Sequence, residues 1–261
     1  PETLTHDELA DLSESFNTTL EKLQELSVAR TLQESLFPVA AVRIGAYEVF
    51  GKSVAATELG GDYFDYFSVG DHQVMLLIGD VAGHGTGSAL QMAMAKTGMH
   101  FAVQIDPSPA RVCERLNQMI LSCMRKKQMM TFFCALVDTQ SGVVRYANAG
   151  HNNPMLIRVD GTIEEMGSGG YPLGVRKTVS YGEKELQVNP GDRIWCYTDG
   201  LPECRDAHDQ DLGYDRLKAI LRSASAETAL DTCDQVLRHC HDYRKGAPQG
   251  DDMTLILLKR S

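Results

Sequence analysis

The chain has 261 residues, of which 43% are hydrophobic and 23% charged, a composition that suits a folded globular protein rather than disorder. Its 35 acidic residues against 25 basic ones give a net charge of −10, which argues against a nucleic-acid binder and against docking on anionic lipid. No apolar run approaches the ~18–20 residues that a bilayer span requires.

The chain opens on Pro1 with no basic segment leading into an apolar stretch, so no signal peptide is visible. It is expected to be a processed form or a piece excised from a longer protein. The seven cysteines form an odd set without a CxxC pair, which suits isolated buried thiols in a reducing compartment.

From Asp7 to Ser35 there is neither Gly nor Pro, and Leu9, Leu12, Phe16, Thr19, Leu23 and Leu26 step by three and four. That is the spacing of a coiled-coil seam on a long polar helix, which Pro38 ends. Tyr47–Val54 is then expected as a strand, followed by a loop over Thr57–Asp65. Val74–Ile78 is an apolar run stopped by Gly79 and reads as a buried strand. Helices are expected over Thr86–Val103 and Pro107–Met124. Thr131–Asp138 and Val143–Asn148 form a plausible hairpin, and Met155–Val159 and Ile163–Glu165 flank the turn signal Asp160-Gly161. Glu185–Val188 and Arg193–Tyr197 bracket the turn Asn189–Asp192. Helices over Tyr214–Arg222 and Glu227–Arg244 precede a closing strand, Met253–Lys259. Strands in hairpins with helices in pairs make an α+β pattern.

Four aspartates sit in glycine-rich breaks at the ends of these strands: Asp62, Asp80, Asp199 and Asp251. Asp beside Gly also makes ordinary turns, because its carboxylate bonds nearby amides. Gathered together, ionised carboxylates repel and raise one another's pKa unless a cation neutralises them. An all-oxygen cluster selects a hard ion such as Mg²⁺ or Mn²⁺, and two such ions activate water and clamp phosphoryl oxygens. Spacing alone does not bring the four together.

The runs Gly60-Gly-Asp-Tyr-Phe-Asp65 and Ile78-Gly-Asp-Val-Ala-Gly-His-Gly85 resemble the metal-dependent PPM protein phosphatases, in their bacterial SpoIIE/RsbU-like branch. Asn148–Pro154, Pro172-Leu-Gly174, Tyr197-Thr-Asp-Gly200 and Asp251-Asp-Met-Thr254 follow in the same order. The resemblance implies a central β-sandwich of two mainly antiparallel sheets flanked by helices, over 38–261, behind a coiled-coil linker helix over 1–37. By match of motif, Asp80 would bridge two Mn²⁺ or Mg²⁺ ions and the Val81 carbonyl would join the first. Asp199 and Asp251 would ligate the second, and Asp62 would act through water or as a further ligand. Asp65 and Asp252 are weaker candidates. The implied reaction is direct attack of metal-activated hydroxide on phosphoserine or phosphothreonine, with no phosphoenzyme. Larger relatives place a general-acid His where this chain has Ala82, with His84 two residues on. Their phosphate-binding arginine has no clear match beyond guesses at Arg43 and Lys52.

Other signals carry less. Gly83–Gly87 lacks the GxGxxG spacing of a dinucleotide loop, and Cys233, His239, Cys240 and His241 face unsuitably for zinc within a helical pattern. His151 in its Asn-rich turn reads as structural.

Asp7–Asn17 resembles the closing helix of a HAMP signalling module. It implies a homodimer through that helix, control of the phosphatase by helix rotation or register, and a cytoplasmic domain of an inner-membrane parent. The expected substrate is a small phosphorylated anti-anti-sigma regulator of the STAS type in bacterial partner switching. The alternative is a binding or scaffold module that keeps the fold without turnover.

Overall fold

The computed structural model describes residues 6–83, 85–123, 128–167 and 169–261, with side chains of the first helix described from residue 11. That helix, α1 (His6–Glu34), precedes a short strand β1 (Val42–Ile44) and then β2 (Tyr47–Val54), β3 (Asp62–Val69) and β4 (Gln73–Val81). Helices α2 (Thr86–Ile105) and α3 (Pro109–Cys123) lead to β5 (Met130–Asp138) and β6 (Val143–Ala149). Next come β7 (Met155–Ile157), β8 (Ile163–Glu165), β9 (Lys184–Gln187) and β10 (Arg193–Tyr197). Helices α4 (Gly213–Ser223) and α5 (Ala229–Arg244) precede the final strand β11 (Met253–Arg260).

The strands form two antiparallel sheets, ordered β1-β2-β11-β10-β7-β8 and β3-β4-β5-β6-β9. Phe64, Leu76, Ile78, Phe133, Ile194 and Ile256 fill the space between them. The outer face of the five-stranded sheet is covered by α2 and α3 through Met92, Met99, Val112 and Leu116. On the six-stranded sheet, α4 and α5 bury Trp195, Leu217, Val236 and Cys240. This is a helix–sheet–sheet–helix stack, in which each fully buried Leu or Ile contributes about 1.5–3 kcal/mol. The expected α+β sandwich is the observed fold.

Several elements differ from the sequence expectation, and β1 has no counterpart in it. The segment expected as a loop over Thr57–Asp65 becomes strand from Asp62 onward, because Tyr63, Phe64 and Tyr66 give it two buried faces. β4 runs through Gly79 to Val81 rather than stopping there. A Cβ at Gly79 would meet the Thr131 carbonyl of the neighbouring strand, so the glycine permits close pairing instead of ending it. β9 and β10, although joined by the Asn189–Asp192 turn, part into different sheets. Among the described residues, no helix is long and apolar enough to cross a membrane.

α1 is mostly exposed, with Leu26 and Ala29 half-buried and Gln33 its one buried residue among those described from residue 11. Past its end, Phe37 stacks on Phe64 with ring centroids 4.8 Å apart. Contacts therefore cross the expected boundary between residues 37 and 38.

Candidate metal centre

β3 begins and β4 ends at the same edge of the sandwich, and Asp62 and Asp80 are direct cross-strand partners there. Directly opposed residues of an antiparallel pair project to one face, so the two carboxylates are neighbours. On the other sheet β10 and β11 are also paired, and just beyond them the Thr198 amide donates to the Thr254 carbonyl at 3.0 Å. Asp199 and Asp251 follow and precede that pair, at the same edge. Each sheet thus supplies two of the four aspartates singled out from sequence.

The two sheets are tied together at this edge. The Thr198 hydroxyl donates to Asp62 Oδ2 at 2.8 Å, and Thr254 also bonds the Asp62 carboxylate. Asp252 accepts from the Ala56 amide (2.8 Å) and the Gly61 amide (2.9 Å), pinning the loop before β3. Two glycines are required by this closeness. A Cβ at Gly60 would collide with the Asp252 carboxylate, and one at Gly200 with the Asp252 carbonyl oxygen.

Asp62 is buried, and desolvation raises its pKa well above the ordinary value, with further increases from Asp80 and Asp252 that Thr254 and Thr198 oppose. Asp80 is pushed up to about 7, by burial first and then by Asp199, Asp251 and Asp252. Asp80 and Asp199 are half-buried and Asp251 is exposed, so the edge is open to solvent. Among the described residues, no three Asp, Glu, His or Cys side chains are arranged closely enough to hold a metal ion as they stand. The donor set nevertheless fits hard divalent cations. Its donors are oxygens, and the mutual repulsion that lifts Asp80 is what a bound cation relieves.

Val81 follows directly. Its amide donates to the Gly61 carbonyl at 3.3 Å, and the next residue, Ala82, is bonded through its amide to the Met129 carbonyl and through its carbonyl to Gln128 Nε2. The Val81 peptide is therefore held from both sides of the edge. His84 lies outside the described residues.

Several weaker candidates have other partners. Asp65 accepts from Lys96 Nζ at 2.6 Å and lies 3.5 Å from His100 Nε2, so it ties β3 to α2. Asp252 anchors the loop described above. Arg43 pairs with Glu48 at 2.8 Å and Lys52 with Asp234 at 2.7 Å. His151 is buried, its Nδ1 lies 2.8 Å from Thr131 Oγ1, and burial lowers its pKa to about 4, which keeps it neutral. Cys233 and Cys240 are buried thiols under α5. Sequence reasoning did not single out Thr198 and Thr254, which orient Asp62, although both stand inside the quoted motifs. It also passed over Gln33, whose only signal is its place in the three-and-four stepping of α1.

The family model described as Stage II sporulation protein E (SpoIIE) matches residues 70–261. Phosphoserine phosphatase RsbU of Bacillus subtilis (strain 168) is 27% identical over 240 residues, covering 90% of this chain and 70% of that protein. Two further curated relatives are matched over less than half their own length, 42% and 45%. Among solved structures, the SiaA-PP2C domain of Pseudomonas aeruginosa superposes with a TM-score of 0.81 at 20% identity, covering 94% of this chain and 98% of that one. RsbX in complex with magnesium superposes with a TM-score of 0.66 at 16% identity, over 85% of this chain and 99% of that one.

Proposed function

The chain belongs to the SpoIIE family, and from that premise we propose that it is a metal-dependent protein phosphatase acting on phosphoserine or phosphothreonine of a small regulatory protein. The carrying observation is the cross-strand pair Asp62–Asp80 facing Asp199 and Asp251 of the other sheet, with the Asp80 carboxyl lifted to about 7 by burial first and then by its carboxylate neighbours. Membership supports the activity, because the relative RsbU is named a phosphoserine phosphatase.

In this reading Asp80 and the Val81 carbonyl would hold one cation, Asp80, Asp199 and Asp251 would hold a second, and Asp62 would act through water or as a further ligand from the buried side. Two bound Mn²⁺ or Mg²⁺ ions supply positive charge for the phosphoryl oxygens and acidify water. Asp62, fixed by the Thr198 hydroxyl, presents its carboxylate in one orientation toward the edge. Gly60 and Gly200 let their loops pack directly against Asp252, beside the carboxylates. His151 is buried and neutral beside Thr131.

The substrate in this proposal is a phosphorylated STAS-type anti-anti-sigma regulator of a partner-switching circuit. The division into a linker helix (1–37) and a phosphatase domain (38–261) belongs to the same proposal. So do a homodimer through α1, control of the domain by that helix, and a HAMP-bearing, membrane-anchored parent with this chain on its cytoplasmic side. Exposed Leu12, Phe16 and Leu23 on α1 support the dimer.

The test is release of phosphate from a panel of phosphoserine proteins with Mn²⁺, with chelator, and with Asp80→Asn. Turnover by the wild type should fall by at least about 100-fold in the variant and be lost on chelation. Chelator-resistant turnover, or none on any phosphoprotein in a Mn²⁺-loaded dimer, counts against the enzyme reading.

A further inference from the structure

α1 carries 29 residues, yet from residue 11 onward only Gln33 is buried. Its carboxamide grips the backbone of one residue at both ends: Nε2 donates to the Gly60 carbonyl at 2.8 Å, and Oε1 accepts from the Gly60 amide at 3.2 Å. A two-point bond of this kind fixes both position and orientation of that residue, as a hydrogen-bonded pair does in a sheet ladder.

The gripped residue lies at the junction of the site. The Asp252 carboxylate stands where a Gly60 Cβ would be, and bonds the Gly61 amide at 2.9 Å. The Gly61 carbonyl accepts from the Val81 amide at 3.3 Å, and Asp62 is the next residue. Gln33 therefore touches none of the four aspartates but holds the loop from which Asp62 is presented and against which Val81 is seated. We propose that Gln33 is a positioning residue for the metal centre, through its clamp on the Gly60 backbone. This rests on the metal-dependent reading given above.

The register of α1 makes the clamp responsive to the helix. Continued from Leu26, the three-and-four stepping of the seam reaches 30 and then 33. Arg30 contacts Glu58 at 3.4 Å and Gln33 contacts Gly60, so the last turn of the seam rests on this loop while Leu12, Phe16 and Leu23 of its earlier turns are exposed. A rotation of α1 by a fraction of a turn withdraws the carboxamide from Gly60. Arg30–Glu58 is an exposed pair and adds little to the hold. The clamp is the bond that couples the two.

The experiment compares the full chain with Gln33→Met, which keeps the volume and loses both bonds, and Gln33→Asn, which is too short to make both. Leu32→Ala, at an exposed neighbouring position, serves as the control. Mn²⁺ affinity is read by calorimetry, and protection of the Gly60 and Gly61 amides by hydrogen exchange in the metal-free protein. Loss of a residue that orients ligands weakens metal binding by about 10–100-fold, and that loss is expected for Gln33→Met, with a smaller one for Gln33→Asn. Gly60 exchange should quicken in both, and Leu32→Ala should match wild type. A lower melting temperature with unchanged Mn²⁺ affinity in both Gln33 variants would make the residue merely structural and overturn the proposal. Wild-type protein that binds no Mn²⁺ would overturn the metal-dependent reading itself, and this role with it.

Discussion

At Asp80 the folded chain opposes ionisation, since burial and the carboxylates of Asp199, Asp251 and Asp252 push its pKa up to about 7. Asp62 is shifted in the same direction by burial, Asp80 and Asp252. A carboxyl whose pKa is raised on folding holds a proton that the unfolded chain has already released. Its contribution to stability is complete below the unfolded value, near pH 4, and is lost as pH rises to the folded value, near pH 7. Metal-free protein should therefore melt at a lower temperature at pH 8 than at pH 5, provided it is compared at fixed ionic strength. Asp80→Asn removes part of that slope and should raise the metal-free melting temperature at pH 8, by about 2–4 °C for each kcal/mol regained. Added Mn²⁺ should stabilise wild type more than the variant, because the ion binds where the proton otherwise sits. Thermal unfolding followed by circular dichroism with chelator decides it. A flat metal-free profile in wild type, or a variant that is less stable at pH 8, contradicts this account.

The elements themselves were legible where period and length agreed. α2, α5 and β11 have unbroken apolar patterns, and β2 was placed at its observed ends. β3 is hidden in the sequence because Gly60, Gly61 and Asp62 signal a turn just ahead of its aromatic run, and because both its faces are buried, so no alternation marks the strand. The separation of β9 from β10 had no local signal; a turn states that the chain reverses, not which sheet receives each arm. The four aspartates were legible as residues, and their convergence became visible only through the pairing of β3 with β4 and of β10 with β11. For α1 the pattern states more than one copy of the chain uses. Leu12, Phe16 and Leu23 are 60%, 61% and 53% exposed, and a seam of this kind is buried by a second helix of the same register. Substituting all three with serine removes apolar contacts of roughly 1.5–3 kcal/mol each if buried, which shifts dimer dissociation by at least about 100-fold. Sedimentation equilibrium should show a dimer for the wild type and a monomer for the triple variant, with circular dichroism confirming the folded domain. A monomeric wild type at high micromolar concentration would remove the dimer from the proposal.

Over the whole molecule the charge of −10 and the site act together in a way that neither the total nor the four carboxylates show alone. Asp62, Asp80, Asp199 and Asp251 carry a formal −4, which two divalent ions would cancel, leaving the remaining −6 (−10 + 4) spread over the rest of the surface. That residual field attracts cations toward an edge open to solvent, and its reach is the Debye length, about 14 Å at 0.05 M salt and about 4 Å at 0.5 M. The carboxylates beside the ion are too close to be screened by this change, whereas charges farther away, such as those of the polar face of α1, are silenced by it. Mn²⁺ affinity measured at constant pH should therefore weaken by several-fold between 0.05 and 0.5 M NaCl and then level off, the plateau being set by the site's own ligands. The same titration on Asp251→Asn should start weaker and fall with a similar slope, because the variant loses a ligand but keeps the distant field. An affinity independent of salt would mean that the surface charge plays no part in loading the site. A slope that vanishes in Asp251→Asn would place the whole electrostatic effect at the edge.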